Sequence, residues 1–337
     1  MDEDKFFRLA TAVIVLVVAG VVLKLARPVL VPFVLAFFLS YLIDPALTFL
    51  TRCRCPRPEA VLIVLALMFV VLYLLGALVY TSGKSLVSEL PRYEQRLEEL
   101  VRLAQTGVGP FKVDLASAVG NLDIDRLAAG LLGAIGPFFK FLGKLLLVFL
   151  FLVFIVSGRG RAAAKIPKAL GDGQAGRVRS MLESINAQVR KYLLIKTATS
   201  LLNGLMVWAV LALFGVDFAA VFGLLAFLLN FIPNIGSMIA TTLRVGFAFF
   251  QFGTFWTPFW ILVITVGLDT LLGNFLEPKV MGKGLGLSPL LVFFSLLFWG
   301  WLWGVPGMIL SVPLTAVIKI VCQNVPALRP VAVLMGP

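Results

Sequence analysis

Several polar and charged residues lie inside or at the ends of apolar runs long enough to cross a membrane, and they are the candidates for chemistry. Asp269, Gly273 and Glu277 follow one another at four-residue spacing, so on a helix they share one face, with Asn274 beside it. Asn203 holds a related place in an earlier apolar run. Polar side chains are costly inside a bilayer and commonly line the path of a solute or an ion. The pattern therefore predicts a site that binds a small polar solute.

Each of these side chains has a functional and a structural interpretation. The amides of Asn203 and Asn274 offer donors and acceptors to a hydroxylated solute, or they join helices to one another. Asp269 is expected to bind the solute or, with Glu277, to couple transport to H⁺ or Na⁺, although Glu277 is equally suited to pairing at the membrane interface. Arg244 is expected either to attract an anion or to form a salt bridge to a carboxylate.

These residues belong to a unit that occurs twice in the last third of the chain. A shift of 71 positions gives eleven identities in the 45 pairs that begin at position 199, including Asn203 with Asn274 and Gly236 with Gly307. Chance in so apolar a composition gives roughly half as many. Each copy contains a spanning run that ends at a glycine, a helix-start signal, a short apolar arm, a break and a second arm. The repeat therefore predicts two equivalent membrane structures.

The arms of each copy are short. The run 218–231 would extend about 21 Å as a helix, whereas the hydrocarbon core is about 30 Å thick. We therefore predict an inverted repeat with two re-entrant helical hairpins, whose tips at 232–237 and 304–307 enter from opposite sides. Paired interrupted helices indicate a transport site near the midplane, where freed backbone groups can contact a solute. The tip residues predicted to bind solute are Pro233, Asn234, Gly236, Pro306 and Gly307.

Composition identifies the class of protein. The chain has 337 residues, 60% of them hydrophobic, and a mean hydropathy of +1.02, which is typical of an integral membrane protein. The net charge of +12 comes from Lys and Arg in the loops that flank apolar runs, so nucleic-acid binding is not expected. The chain has three cysteines and no histidine, so we expect neither a metal site nor another cofactor.

We predict an all-α fold with about eight transmembrane segments. The run 157–196 holds nine Lys or Arg against two acidic residues, which places it, and with it both termini, in the cytoplasm. An apolar face within this run, around Ile185 and Val189, is expected to rest on the inner leaflet, chiefly as a structural collar. The predicted segments are transmembrane helices 1–3 in 1–81, an extracytoplasmic helical segment in 82–137, a fourth transmembrane helix in 138–157, the basic amphipathic helix region in 158–192, repeat 1 in 193–252, repeat 2 in 253–323 and a cytoplasmic tail in 324–337.

Long motifs in the same repeats resemble the AI-2E family of bacterial transporters. The motifs are LEPKVMGKGLGLSP at 276–289, GVPGMI at 304–309, FIPNIGS at 231–237 and an early pattern of Pro28, Pro32, Tyr41 and Asp44-Pro45. The likeness covers nearly the whole chain except 82–137. The positions it carries over are Pro233, Asn234, Gly236, Glu277, Pro278, Pro306 and Gly307.

The resemblance implies about eight segments in the bacterial inner membrane and a homo-oligomer, expected to be a pentamer. It also implies, for some members, export of the quorum-sensing signal autoinducer-2, and for others Na⁺(Li⁺)/H⁺ antiport. Likeness of fold does not by itself fix the solute.

Two functions stay open at this stage. The first is secondary transport that exports a small polar solute by alternating access, either elevator-like or by hairpin gating, against a scaffold of the first four spans. The alternative is a Na⁺(Li⁺)/H⁺ antiporter that uses Asp269 or Glu277. An enzyme is not expected, since the chain has no histidine for a Ser-His dyad or an HExxH motif. The expected partners are the solute, H⁺ or Na⁺ as coupling ion, and the lipid bilayer.

Overall fold

The computed structural model describes residues 3–105, 143, 145–158, 172–281 and 285–336. Every regular element in these ranges is helical, which confirms the predicted all-α class. Much of the predicted extracytoplasmic segment and part of the basic region lie outside the described residues. The helices are α1 Glu3–Leu25, α2 Arg27–Leu42, α3 Asp44–Arg52, α4 Arg57–Gln105, α5 Leu145–Gly158, α6 Asp172–Leu213, α7 Ala219–Leu229, α8 Ile235–Phe252, α9 Trp256–Thr270, a π-helix Leu271–Leu276, α10 Glu277–Met281, α11 Pro289–Trp303, α12 Val305–Asn324, a 3-10 turn Pro326–Leu328 and α13 Arg329–Leu334.

Five helices of the described part are long and apolar enough to cross a membrane. A sixth span is counted if α1 and α2 are taken together, although these two helices meet at a bend of 83°. The chain is thus a multi-pass helical membrane protein, and the count of eight segments stays a prediction. The five candidate spans are Arg57–Leu86, Val178–Leu213, Ile235–Phe252, Trp256–Met281 and Val305–Asn324.

Two helices are longer than the sequence analysis predicts. The third span continues without a break to Gln105 within α4, and the basic amphipathic region continues directly into the spanning part of α6. At the junction within α6, Leu193 and Leu194 are strong helix formers, so local preference carries the helix across the boundary that charge suggested. The 42-residue helix α6 is called the long helix below.

The chain divides into two compact units, which are described separately. One unit comprises Met1–Val64, Lys144–Leu194 and Met281–Pro337, and it contains the second hairpin, α11 with α12. The other comprises Leu65–Gly143 and Ile195–Val280, and it contains the first hairpin, α7 with α8.

The two hairpins keep matching backbone landmarks. The run before each ends at a glycine in the left-handed region, Gly215 with φ of 71° and Gly286 with φ of 60°. Ser288 caps the start of α11, because its Oγ accepts a hydrogen bond from the Leu291 amide at 3.2 Å. α7 begins differently, with Phe218 in the N-cap position and in the left-handed region.

The arms differ from the prediction in length. α7 and α11 have 11 and 15 residues, whereas α8 and α12 have 18 and 20, enough to cross a membrane. The expectation that no arm can span is therefore wrong for the second arms. The reason is that α12 starts at Val305, because proline suits the first turn of a helix. Pro306 and Gly307 therefore lie inside the helix, and the break is confined to Gly304.

The apolar face of the amphipathic region packs on protein. Ile185 and Val189 are buried in a core cluster with Phe38 and Tyr41, and the Tyr41 hydroxyl donates a hydrogen bond to Asn186. The expectation that this face rests on the inner leaflet is therefore wrong for Ile185 and Val189, whose partners belong to the unit of the second hairpin.

Candidate functional site

A stripe of buried polar residues runs along the long helix. Lys196, Thr199, Ser200 and Asn203 are all buried, although they lie within a candidate membrane span. Their spacing of three and four residues places them on one side of the helix over two turns. Such a stripe is stable inside a membrane protein only when its groups have protein or solute partners.

The first partner of the stripe is a carboxylate. The Lys196 ammonium contacts both oxygens of Glu277, at 3.0 and 2.9 Å, and the two side chains are only 8% and 15% exposed. Glu277 is thus paired in this structure, and its expected part in ion coupling stays a prediction. Because both charges are largely removed from solvent, losing either one would leave an uncompensated buried charge.

The second partner comes from the first hairpin. The Asn230 amide at the end of α7 donates a hydrogen bond to Ser200 Oγ at 2.9 Å. Nearby, Gly204 and Gly223 permit a close approach of the two helices: a Cβ added at Gly204 would lie 2.7 Å from the Gly223 carbonyl oxygen. The tip of the first hairpin is therefore held against the polar stripe.

Asn203 lies one turn from Ser200 and is only 3% exposed. Its Oδ1 is buried and receives no hydrogen bond from any group in the described part of the chain. A buried amide oxygen without a partner costs about 1–3 kcal/mol, and this oxygen can still accept a hydrogen bond. The role of Asn203 in binding a solute stays a prediction.

A second buried cluster joins the first hairpin to α9. Arg244, 1% exposed, donates through Nη2 to Asp269 Oδ2 at 2.6 Å and to Thr241 Oγ1 at 2.7 Å. Arg244 thus forms a salt bridge to a carboxylate, and its expected part in anion attraction stays a prediction. Within the described residues, Arg244 Nε and Nη1 and Asp269 Oδ1 make no hydrogen bond. Three nitrogen or oxygen atoms of this pair can therefore still form a hydrogen bond to a ligand.

Between Asp269 and Glu277 the helix changes from α to π geometry. Leu271–Leu276 forms a π-helix, a rare element that often occurs at functional sites. Asn274 lies within it and is exposed, in contrast to its repeat counterpart Asn203. The structure thus separates the two asparagines that the repeat aligns, one facing protein and one facing outward.

The predicted tip residues have different local roles. Asn234 has φ of 58° and ψ of −55°, and the Ile235 amide donates to the Pro233 carbonyl oxygen at 2.6 Å, which is a γ-turn with positive φ. Gly236 and Gly307 serve packing between arms, because an added Cβ would lie 1.8 Å and 2.0 Å from carbonyl oxygens of the preceding arm. Sequence analysis missed Asn230 and Ser200, because only the fold brings these two side chains together.

Buried ion pairs, an interrupted hairpin and several helices long enough to cross a membrane together indicate a multi-pass membrane protein. The chain matches the AI-2E family transporter family over residues 12–327 and belongs to that family. The resemblance found in its motifs is thereby confirmed.

Three relatives illustrate the similarity. The chain is 35% identical to the AI-2 transport protein TqsA of Escherichia coli (strain K12), over 96% of this chain and 93% of that protein. It is 35% identical to a candidate transport protein of Borreliella burgdorferi, over 96% and 89%, and 33% identical to one of Haemophilus influenzae, over 97% and 95%.

Proposed function

We propose that the protein is a secondary transporter that exports a small polar solute of the autoinducer-2 kind by alternating access. The observation that carries this proposal is the buried Oδ1 of Asn203 at the end of a polar stripe in a membrane-spanning helix. A hydroxylated solute supplies the donor that this oxygen lacks. The named solute of TqsA, at 35% identity, supports the choice of autoinducer-2.

The other proposed solute contacts are polar groups that can still donate or accept a hydrogen bond. Asp269 Oδ1 and the free nitrogens of Arg244 offer an acceptor beside donors, which suits a neutral solute carrying several hydroxyl or carbonyl groups. Asn274 is proposed as a further contact because it is exposed on the π-helix, where the backbone departs from the α pattern. The tip residues Pro233 and Pro306 are proposed to border the path.

The antiporter alternative receives less support. Its two expected carriers, Asp269 and Glu277, are both bonded to cationic side chains, and a carboxylate held in an ion pair is a poor carrier of H⁺ or Na⁺ during the paired state. We therefore propose that these pairs shape the transport unit, and that H⁺ or Na⁺, if used, couples through opening of a pair.

The second hairpin packs on α1 and α2 in one compact unit. We therefore assign the second hairpin to the scaffold. This proposal replaces the expectation that both hairpins move together against the first four spans. The proposed setting is the bacterial inner membrane, with both termini cytoplasmic, two re-entrant hairpins, a pentameric assembly and a role in quorum sensing.

Efflux of labelled autoinducer-2 from proteoliposomes tests this function. We expect saturable efflux by the wild type, and about three- to tenfold weaker efflux by Asn203→Ala, as for loss of one hydrogen bond. Asn324→Ala is the matched control, because the Asn324 amide bonds the Ile320 carbonyl of its own helix. Efflux that does not saturate, or equal efflux by both variants, would contradict the proposal.

A further inference from the structure

We propose that the hydrogen bond between Asn230 and Ser200 is a gate latch, which holds the first hairpin closed over Asn203 and opens in each transport cycle. The inference deepens the proposed function and rests on it, because the gate controls access of the solute to Asn203. Asn230 and Ser200 act as positioning residues in this scheme, since they fix the hairpin and need not touch the solute.

The latch lies where a gate requires it. Asn230 follows the last residue of α7, directly before the break that separates the two arms of the first hairpin. Ser200 lies one helical turn before Asn203 on the long helix, and the bond between Asn230 and Ser200 measures 2.9 Å. Moving the tip away from the long helix would break this bond, and we infer that it also opens access to Asn203, one turn further along.

The contact below the latch allows this movement. Gly204 and Gly223 meet without interlocking side chains, with the Phe227 Cβ 2.8 Å from the position of a Cβ on Gly204. A contact of this kind depends on close approach of two helix backbones and places no polar side chain at those positions. The first arm can thus separate there without leaving an unpaired donor or acceptor.

The turn beside the latch is strained. Asn234 adopts a γ-turn with positive φ, a conformation that non-glycine residues rarely take. Strain of this kind persists only while the surrounding contacts hold it. Release of Asn230 from Ser200 lets the turn relax, so the strain favours opening and the latch opposes it.

The second hairpin has no need of such a latch, because its tip is fastened at three points to the bend between α1 and α2. The Trp303 indole donates to the Leu23 carbonyl oxygen at 3.2 Å, and the Lys24 ammonium lies 4.5 Å from the centre of the Trp301 ring. The Arg27 guanidinium lies against Gly304, within 2.9 Å of the position of an added Cβ. Trp301 is the repeat counterpart of Asn230, 71 positions later. The geometry therefore assigns the gate to the first hairpin.

Labelling of a tip cysteine tests the latch without any solute. In protein with its native cysteines replaced by serine, Ser237→Cys reports access of a membrane-impermeant maleimide to the first tip. Ser200→Ala removes the acceptor of the latch, and we expect labelling about three- to tenfold faster. The matched control is Ser311→Ala, a fully buried serine that bonds the Met308 carbonyl oxygen in its own helix. Equal labelling rates in both variants would overturn the latch.

Reversible cross-linking tests the gate during transport. In the pair Ser200→Cys and Asn230→Cys, a short dithiol-reactive reagent should lower autoinducer-2 efflux about tenfold or more, and a reductant should restore it. Cross-linking Lys24→Cys to Trp301→Cys should change efflux by less than about twofold. Undiminished efflux from the locked first pair would overturn the proposal. If the unlocked protein shows no efflux of this solute, the proposed function fails, whereas the labelling rates still decide the latch.

Discussion

The two hairpins of this transporter share a backbone plan but differ in what holds their tips. The first is held to the long helix by a hydrogen bond from the Asn230 side chain to Ser200, and its second arm carries the buried Arg244. The second has Trp301 and Thr315 at the corresponding positions and is fastened by aromatic and cationic contacts. Repetition has thus preserved the path of the chain while the side chains diverged toward a movable and a fixed hairpin.

The features kept in both copies are those that backbone geometry demands. Gly236 and Gly307 stand where the second arm crosses the end of the first, and Gly215 and Gly286 stand at left-handed turns. A side chain is excluded at the first two positions by contact and is strained at the last two by conformation. Charge and hydrogen bonding are free of this constraint, so they carry the difference in function.

The largest expected effect comes from the buried ion pair that Arg244 of the first hairpin forms with Asp269. The aligned position of the second hairpin is Thr315, which carries no charge. In the native protein, Arg244 Nη2 lies 2.6 Å from Asp269 Oδ2. Arg244→Met removes this partner and leaves the Asp269 carboxylate buried and unpaired. We expect a loss of about 3–5 kcal/mol in the free energy of unfolding, measured by thermal or denaturant unfolding in detergent micelles.

Two further variants show whether charge is the cause. Arg244→Met combined with Asp269→Asn should recover much of the loss, because no uncompensated charge is then left. Thr315→Val, at the aligned position of the second hairpin, removes a hydroxyl but no charge and should cost about 1 kcal/mol. A double variant as unstable as Arg244→Met alone would show that packing, not charge, makes this arm special.

Smaller effects are expected at the shared glycines, and they should be alike in the two hairpins. Gly236→Ala and Gly307→Ala each place a Cβ within 2.0 Å of a carbonyl oxygen, so the arms must move apart. Overpacking of this kind costs about 1–3 kcal/mol, which unfolding in micelles would measure. Gly246→Ala is the control, because its added Cβ meets nothing within 4 Å. A large difference between Gly236→Ala and Gly307→Ala would mean that the hairpins are not equivalent in backbone packing.

Much of the fold and part of the site could be predicted from the sequence. Hydropathy and the 71-residue repeat indicated helical spans and two hairpins, and intramembrane polarity pointed to Asn203, Arg244, Asp269 and Glu277, all now seen with buried groups or ion pairs. These signals are local or periodic, so a single chain is enough to read them.

The parts that could not be predicted depend on contacts between distant residues. Ser200 and Asn230 are ordinary in sequence and gain importance only because the fold brings them within 2.9 Å. Asn274 matches Asn203 in the repeat yet is exposed, since the π-helix around it differs from the regular helix around Asn203. Aligned identity therefore predicts the place of a residue in a helix better than it predicts the neighbours of its side chain.

The smallest expected effect, and the one with the opposite sign, concerns the strained turn of the first tip. The second tip uses a glycine, Gly304, for its positive φ of 70°, whereas the first uses Asn234 at 58°. Asn234→Gly relieves the steric strain but widens the freedom of the unfolded chain, so we expect a net gain of only about 0.5–1 kcal/mol in the free energy of unfolding. Because strain is proposed to favour opening of the gate, Asn234→Gly should slow both measured rates. In the Ser237→Cys background it should react more slowly with maleimide, and it should export the solute more slowly. A variant that is both more stable and faster would mean that the Asn234 turn hinders opening, and that the movable character of the first hairpin comes from the latch alone.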